Sequence, residues 1–383
     1  MDFLAAWFKK LVDMAQGKPL EPIWDDCLNR ILYSILHYPN KDEDYFVMLN
    51  LDMHKTGILG GMTTNLDDQQ MLRCFEVTNQ ISKGHGIIGK MKKDKTNVQE
   101  CMKLVSILKD TKLRELNDQN SKSRAELLDA LDLIVRLTDT DESSLLCGQD
   151  PLTITQLVDT LKALKQCPQI VKPILEIMQN LTHTEDNLEN CYKGKLGDAI
   201  IDLAQDEIED SLGDLQKMAR ITGDLAKHAE LQKLFGSENV IPWLEDTIKK
   251  YPMDPQLMTN GAWASKNFNA NAFEPNIKQS LESRTFSLLA NYVAVEPQND
   301  IAATYTCDSI IECIKQDPLN RKRLAELRIG PKIVKLLHYV ADPQNYNPVL
   351  VFKCIFILGM ITAEGKNNLG LASEGLVSGL QKT

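Results

Sequence analysis

Apolar and polar positions follow a long-range pattern between Leu131 and Ile361: a short apolar run with helical spacing, a polar break, then a second apolar run. The last polar-side position of each first run marks six copies, spaced by 44, 44, 43, 46 and 47 residues. The markers are Arg136, Asn180, Asp224, Asn267, Cys313 and Met360. A period in this range is typical of stacked helical repeats, because one helix hairpin or triplet cannot bury its apolar face alone. The pattern predicts that stacking between neighbouring repeats stabilises the chain.

A glycine follows the marker after 12 to 17 residues in five of the six copies, and an apolar run then resumes. These glycines are Gly148, Gly197, Gly236, Gly330 and Gly375. Glycine adopts positive φ at little steric cost. We therefore expect each of them to supply the turn from which a new helix starts.

Two segments, DPLNRKRLAELRIGPKIVKLL and GKNNLGLASEGLVSGL, resemble the inter-repeat turn of the armadillo family, with asparagine, an apolar residue and glycine in the same order. The resemblance covers about residues 125–383. It implies an all-α fold, a right-handed α-solenoid of about six armadillo-like repeats in residues 96–383, preceded by a more irregular helical region at residues 1–95. The alternative is a coincidence among leucine-rich helices.

The composition agrees with an all-α chain, since aromatic residues make up only 6% of the 383 positions and strand-like alternation is scarce. The nine cysteines are scattered singly without CxxC spacing, which favours reduced core residues and a reducing compartment. We expect a cytoplasmic protein, with cilium, cytoskeleton and nucleus left open. No histidine pair has HxxxH or HExxH spacing, so neither a metal site nor a cofactor is expected.

Residues 1–16 form an amphipathic pattern in which Phe3, Trp7 and Leu11 share one helical face and Lys9 and Lys10 lie opposite. A charge-free stretch of the kind found in secretory signals is missing. No apolar run approaches the roughly 20 residues that a membrane span requires. We interpret the segment as a terminal helix that packs on the repeats, and contact with a membrane surface is the alternative.

The formal net charge of −10 disfavours nucleic acid as a partner and favours a basic protein or peptide. Asp202, Asp206, Asp210 and Asp214 recur every four residues. In a helix continuous through Gly213 they would form an acidic ridge, whose repulsion a basic partner would relieve. A surface that simply faces water is the ordinary alternative.

A string of glycines, Gly84, Gly86 and Gly89, satisfies the G-x-G-x-x-G spacing of phosphate-binding loops. Dinucleotide sites need that string directly after a strand, whereas the helical run MLRCFEVTNQISK precedes it here. A glycine loop between helices is therefore favoured over nucleotide binding. No GxSxG or HRD-like motif is present, and we predict a chain that is not an enzyme.

The pair Trp263 and Asn267 in NGAWASKNF is similar to the ladder by which importin-α binds extended peptides. In that ladder the asparagine amide clamps the peptide backbone, because an amide offers both donors and acceptors. The other copies do not repeat the pair, which disfavours a nuclear-import adaptor. The alternative is that Trp263 is buried between repeats and Asn267 caps a turn.

Our first hypothesis is a non-catalytic scaffold or adaptor whose groove binds an extended or basic segment of another protein. The expected contacts are Arg136, Asn180, Asp224, Trp263 and Asn267 in the groove, with Asp202, Asp206 and Asp210 on the ridge. The resemblance implies a role in a cytoskeletal, ciliary, adhesion or transport assembly. The alternatives are an armadillo-type exchange factor or chaperone for a small GTPase, and a structural subunit of a large complex.

Overall fold

The computed structural model describes Lys92 and residues 95–116, 121–205 and 211–362. These residues contain 17 α-helices, two short 3-10 helices and no strand, which confirms the predicted all-α class. The chain divides into two compact units, Met1–Leu196 and Gly197–Thr383. The irregular region predicted at residues 1–95 lies outside the described residues except for Lys92 and Lys95, so the boundary predicted there stays a prediction.

The described part of the first unit contains two long helices, then a short, a medium and a long helix, and finally a short one. In chain order they are α1 (Lys95–Leu116), α2 (Lys122–Leu137), α3 (Asp141–Gly148), α4 (Pro151–Leu164), α5 (Pro168–His183) and α6 (Leu188–Lys193), with a 3-10 helix at Glu185–Asn187.

The second unit begins at the second residue of α7 and contains eleven described helices. Its helices are α7 (Leu196–Gln205), α8 (Leu212–Leu225), α9 (Ala229–Ser237), α10 (Val240–Lys250), α11 (Pro255–Asn269), α12 (Glu274–Glu282), α13 (Thr285–Val295), α14 (Asp300–Gln316), α15 (Pro318–Glu326), α16 (Ile329–Val340) and α17 (Pro348–Thr362), with a 3-10 helix at Ala270–Ala272.

Triplets of short, medium and long helices repeat along the second unit. Helices α9 to α11 have 9, 11 and 15 residues, α12 to α14 have 9, 11 and 17, and α15 to α17 have 9, 12 and 15. All six marker positions fall in the long helices α2, α5, α8, α11, α14 and α17, which we call the third helices. In the second unit α8 packs on α11, α11 on α14, and α14 on α17. The predicted period is therefore the spacing of packed third helices.

Polar caps fix where the third helices start and how they align. The Asp254 side chain accepts a hydrogen bond from the Leu257 N–H (2.7 Å) at the start of α11, and it also accepts one from the Gln216 amide of α8 (2.8 Å). Asn299 caps α14 and donates to the Thr259 hydroxyl of α11 (3.0 Å). One side chain thus satisfies a free helix N-terminus and binds the preceding third helix.

The expectation that glycines supply the positive-φ turns is wrong for Gly148, Gly197 and Gly236, none of which has φ in that region. Lys195 and Asn239 adopt it instead, at φ 59° each, between the short and medium helices of their triplets. These glycines are required by close packing. A Cβ on Gly148 would lie 2.2 Å from the Asn187 side chain, and one on Gly197 would lie 2.6 Å from Leu231.

Buried asparagine side chains join one triplet to the next. The Asn276 amide donates to the Gln232 carbonyl oxygen of α9 (2.9 Å) and to the Phe268 carbonyl oxygen at the end of α11 (3.1 Å). Asn187 makes the matching pair in the first unit, to the carbonyl oxygens of Ser144 (3.0 Å) and Leu181 (2.9 Å). Both asparagines are 0% exposed. We call these contacts the asparagine junctions.

Replacing Asn276 with alanine tests how much such a junction contributes to the stability of the fold. Two hydrogen bonds within the core are lost and a small void opens, so we expect the free energy of unfolding to fall by about 2 kcal/mol. Urea unfolding followed by circular dichroism measures the change. Asn345→Ala, at an exposed asparagine, is the matched control and should leave the midpoint unchanged. Equal midpoints for both variants would contradict a structural role for the junction.

The seven described cysteines are free and buried, in agreement with the expected reduced core residues, whereas Cys27 and Cys74 lie outside the described residues. Burial raises the pKa of Cys147, Cys191 and Cys313 to about 12. A raised pKa leaves little of the reactive thiolate near neutral pH.

We therefore expect iodoacetamide at about pH 8 to leave these three thiols unmodified in the folded protein, because the thiolate is the nucleophile. The same reagent should modify all three in concentrated urea. Mass spectrometry of the proteolytic peptides reads the result, and rapid modification of Cys313 in the folded chain would show that α14 opens readily.

Candidate functional site

The described residues of the second unit present one aromatic side chain in a strongly charged setting. Trp263 lies in the middle of α11 and is partly exposed, between the packed third helices α8 and α14. Its indole N–H donates to Asp224 Oδ1 of α8 at 2.9 Å. Gly223 makes room for the ring, since a Cβ there would lie 2.5 Å from Trp263 Cδ1. The ring is therefore held against α8 by a polar bond and a close packing contact.

Asp224 is the buried anchor of this arrangement, at 0% exposure. Its carboxylate also accepts from Arg220 Nε at 2.9 Å, one helical turn earlier, and lies 3.8 Å from Lys227 Nζ. Burying a carboxylate is costly unless it is paired and hydrogen-bonded. The indole N–H and the two cations supply those partners.

Three cations surround the Trp263 ring. The guanidinium carbon of Arg220 and the Nζ atoms of Lys227 and Lys266 each lie 5.1 Å from the ring centroid. The Tyr305 ring of α14 lies 4.8 Å from the same ring, and Lys266 is also 5.3 Å from Tyr305. A cation near an aromatic face is attracted by the ring quadrupole, with about 0.5–1 kcal/mol at an exposed site. We call this set the Trp263 cluster.

Acidic and basic side chains extend the cluster to the next third helix. Asp308 of α14 lies 3.7 Å from Lys266 Nζ and 2.5 Å from Lys353 Nζ of α17. In the ion pairs around Trp263 and between α11, α14 and α17, the four cations Arg220, Lys227, Lys266 and Lys353 share two carboxylates, Asp224 and Asp308. This surface is cationic within a chain of net charge −10.

The Asn267 side chain is not exposed beside Trp263. It is buried, and its amide donates to the Gly223 carbonyl oxygen of α8 at 2.8 Å. In the first unit, Asn180 likewise donates to the Thr138 hydroxyl (3.1 Å), while Arg136 pairs with Asp132 (3.2 Å). Each asparagine amide thus links neighbouring third helices within its own unit, and a role in peptide binding stays a prediction.

The predicted acidic ridge is not one continuous helix. The described part of α7 reaches Gln205, and α8 begins at Leu212 after extended backbone at its cap residue Ser211. The Ser211 hydroxyl donates to Asp214, which is buried. Asp202 is exposed on α7, and Asp206 and Asp210 lie outside the described residues. The amphipathic segment at residues 1–16 and the loop with Gly84, Gly86 and Gly89 lie outside them as well.

The described residues hold no group of three side chains suited to bind a metal ion, and none of their helices is long and apolar enough to cross a membrane. A polar cleft of about 530 Å³ lies between α12 and α15. Its lining consists of Glu274, Ile277, Lys278, Asp317, Leu319, Asn320 and Arg323. That set contains no serine, cysteine or histidine that could act as a nucleophile or base.

Sequence reasoning singled out Trp263 and Asp224 but missed Lys266, Tyr305, Asp308 and Lys353. A signal was present. Asp308 follows Lys266 by 42 residues and precedes Lys353 by 45, close to the repeat period. Residues of opposite charge one period apart lie next to each other once third helices pack. Lys227 gives no such signal, because it contacts the ring from beyond the end of its helix.

No family model matches the sequence, and no curated protein matches it. Solved structures share the fold. Two are engineered proteins from the Northeast Structural Genomics Consortium: one is 12% identical, with TM-score 0.59 over 98% of this chain and 89% of its own, and the other is 11% identical, with TM-score 0.52 over 68% and 97%. A structure from work on a phosphorylation switch that controls the interaction between cadherin and β-catenin is 11% identical, with TM-score 0.57 over 95% and 70%. The all-α repeat fold of the armadillo type is thereby confirmed.

Gly223→Ala tests the packing that holds the cluster together. The added methyl group would meet both the Trp263 ring and the Ala264 backbone, so we expect a loss of about 1–3 kcal/mol in unfolding free energy. Gly359→Ala on α17 is the matched control, because nothing lies within 4 Å of its Cβ position. It should raise stability by roughly 0.5–1 kcal/mol, since alanine favours helices over glycine. Thermal and urea unfolding distinguish the two signs, and a stabilised Gly223→Ala variant would contradict the close contact.

Proposed function

We propose that this chain of armadillo-type fold is a non-catalytic binding protein whose third helices α8, α11, α14 and α17 hold a segment of a partner protein. One observation carries the proposal: the partly exposed Trp263 ring, fixed by Asp224 and surrounded by three cations. Aromatic and arginine side chains are enriched where binding energy concentrates in interfaces. Armadillo-type folds usually act by binding proteins and not by catalysis.

The chemistry of the surface favours an acidic segment. A partner carboxylate placed near Lys266 and Lys227 would meet two ammonium groups, whereas a partner lysine would meet like charge. Cations arranged in this way steer an acidic partner toward the surface and reject a basic one. The acidic net charge of the whole chain, from which a basic partner was expected, does not describe this surface.

A role as exchange factor or chaperone for a small GTPase would require an acidic surface for a basic tail. The charges around Trp263 have the opposite sign, so this surface does not favour that role. Asp202 on α7 is the described residue of the predicted ridge that could still meet a basic partner. The two surfaces differ in sign, and an experiment can separate them.

Affinity capture from a native cell extract, with the full chain as bait, tests the proposal. The variant Lys227→Gln/Lys266→Gln removes two cations of the cluster, and Lys249→Gln/Lys278→Gln removes two exposed cations elsewhere in the second unit. We expect the first variant to lose a partner that the second retains, with a loss of about 2 kcal/mol, or roughly thirtyfold in affinity. Thermal unfolding confirms that both variants remain folded.

A carbodiimide cross-linker, which joins amines to carboxylates in direct contact, identifies the sign of the partner. Cross-links from Lys227 or Lys266 to aspartate or glutamate of the captured protein are the expected result. Capture of the same partners by both variants, or cross-links from Asp202 to lysines of the partner, would move the binding site away from Trp263.

A further inference from the structure

The last described helix, α17, is apolar on nearly all sides, with the sequence PVLVFKCIFILGMIT. Several of its large side chains face water: Val349 is 57% exposed, Phe352 is 68% exposed and Ile355 is 36% exposed. The rings of Phe352 and Phe356 stack with centroids 6.4 Å apart. A helix that is hydrophobic all round is normally buried. Exposed apolar surface of this kind marks a binding site more often than scattered single residues do.

The exposed apolar surface continues onto the neighbouring turn. Asn347, just before α17, donates to Asp300 at the start of α14 (3.2 Å), which brings the two turns together. Tyr346 and Ile301 flank that bond and are 56% and 59% exposed. We call the resulting surface the Phe352 strip; it consists of Ile301, Tyr346, Val349, Phe352 and Phe356.

The strip borders the Trp263 cluster. Lys353 follows Phe352 on the same helix and pairs with Asp308, and Asp308 is also the partner of Lys266. Positions three and four apart share a helical face, so Val349, Phe356 and Lys353 lie side by side. A cationic aromatic cluster on α11 and an apolar strip on α17 are therefore joined through the charge pairs of α14.

We infer that the partner segment is bipartite, with acidic residues over the Trp263 cluster and large apolar residues over the Phe352 strip. This inference rests on the proposed function and adds a second contact, between apolar residues of the partner segment and the Phe352 strip. Packed helix axes lie about 8–10 Å apart, so α11 and α17 are separated by roughly 16–20 Å. An extended chain covers that distance in about five or six residues. The spacing between the two halves of the segment follows from the spacing of the third helices.

The charges at the border indicate which half of the segment is acidic and which half is apolar. Lys353, at the border of the strip, and Lys266, over the Trp263 ring, both attract carboxylates, while the strip itself carries no charge and has one polar group, the Tyr346 hydroxyl. An apolar side chain of the segment is removed from water when it packs on the strip, and an acidic one pairs with the cations of the cluster. A basic or wholly polar segment satisfies only one half or neither.

A random peptide library displayed on phage, with peptides of about twelve residues to cover both halves, tests the inference with the full chain as the target. We expect selected peptides to carry glutamate or aspartate about five or six residues from leucine, phenylalanine or a similar residue. The same selection on Phe352→Ser should keep the acidic half and lose the apolar half. Selection on Leu152→Ser, at a similarly exposed leucine of the first unit (58%), should reproduce the original motif.

Affinities of one selected peptide then give the size of the effect by fluorescence anisotropy. Phe352→Ser should weaken binding about tenfold, because an apolar contact is lost, and Leu152→Ser should leave it within roughly twofold. Lys266→Gln should weaken the binding of the same peptide, and the two effects should add in the double variant with Phe352→Ser. Peptides that are acidic but have no apolar residue at a fixed spacing overturn the inference and leave the proposed function intact.

Two other results would contradict the proposed function as well as the inference. Selection of apolar peptides whose affinity is unchanged by Lys266→Gln would contradict the proposed function. The absence of any enriched motif would contradict the proposed function and the inference together. If Phe352→Ser instead lowers the melting temperature by several degrees, the strip is covered by other residues of the chain itself. If it abolishes a dimer seen by light scattering, a second copy of the chain covers it. Both of these outcomes overturn the inference.

Discussion

The fold depends on the bond between a buried asparagine amide and backbone carbonyl groups of the preceding triplet. Asn276 reaches the end of α11 and the middle of α9 at once, and Asn187 does the same in the first unit. The last carbonyl groups of a helix have no partner within it and are costly to bury unsatisfied. Apolar stacking alone would permit neighbouring helices to slide, whereas a directional bond fixes one register. Gly148 and Gly236 are small because each asparagine side chain needs their space.

Fixing the register of third helices also builds the binding surface. Asn267 links α11 to α8 through the Gly223 carbonyl, and the missing side chain of that glycine admits the Trp263 ring. The polar edge of the indole is then satisfied by Asp224, while its face is left to the cations. Trp263 therefore combines a structural bond with a partly exposed aromatic surface. The close approach of α8 and α11 therefore stabilises the packing and also positions the Trp263 ring.

Local charge, and not net charge, determines what such a surface attracts. Screening in salt limits exposed charges to a range of about 8–10 Å, so carboxylates elsewhere on the chain contribute little at Trp263. The charges that count are those carried there by four consecutive third helices and by Lys227, just after α8. Lys266 and Lys353 share Asp308 and leave cationic surface between an aromatic cluster and an apolar strip. The same helix spacing that stacks the repeats sets the distance between these two features.

The sequence alone determined the all-α class, the repeat period and the position of each third helix, because the 44-residue recurrence of apolar runs reflects a packing need that every repeat shares. It also singled out Trp263 and Asp224. It misassigned the glycines, since a small residue required by a neighbour 39 or 40 positions away looks the same as one required by its own backbone. It also failed to show the extended backbone at Ser211, which precludes one helix from Asp202 to Asp214. The cationic cluster and the exposed strip appear only when residues one period apart are brought into contact. Charge and exposure at a surface are properties of neighbours in space, and tertiary packing alone decides which neighbours those are.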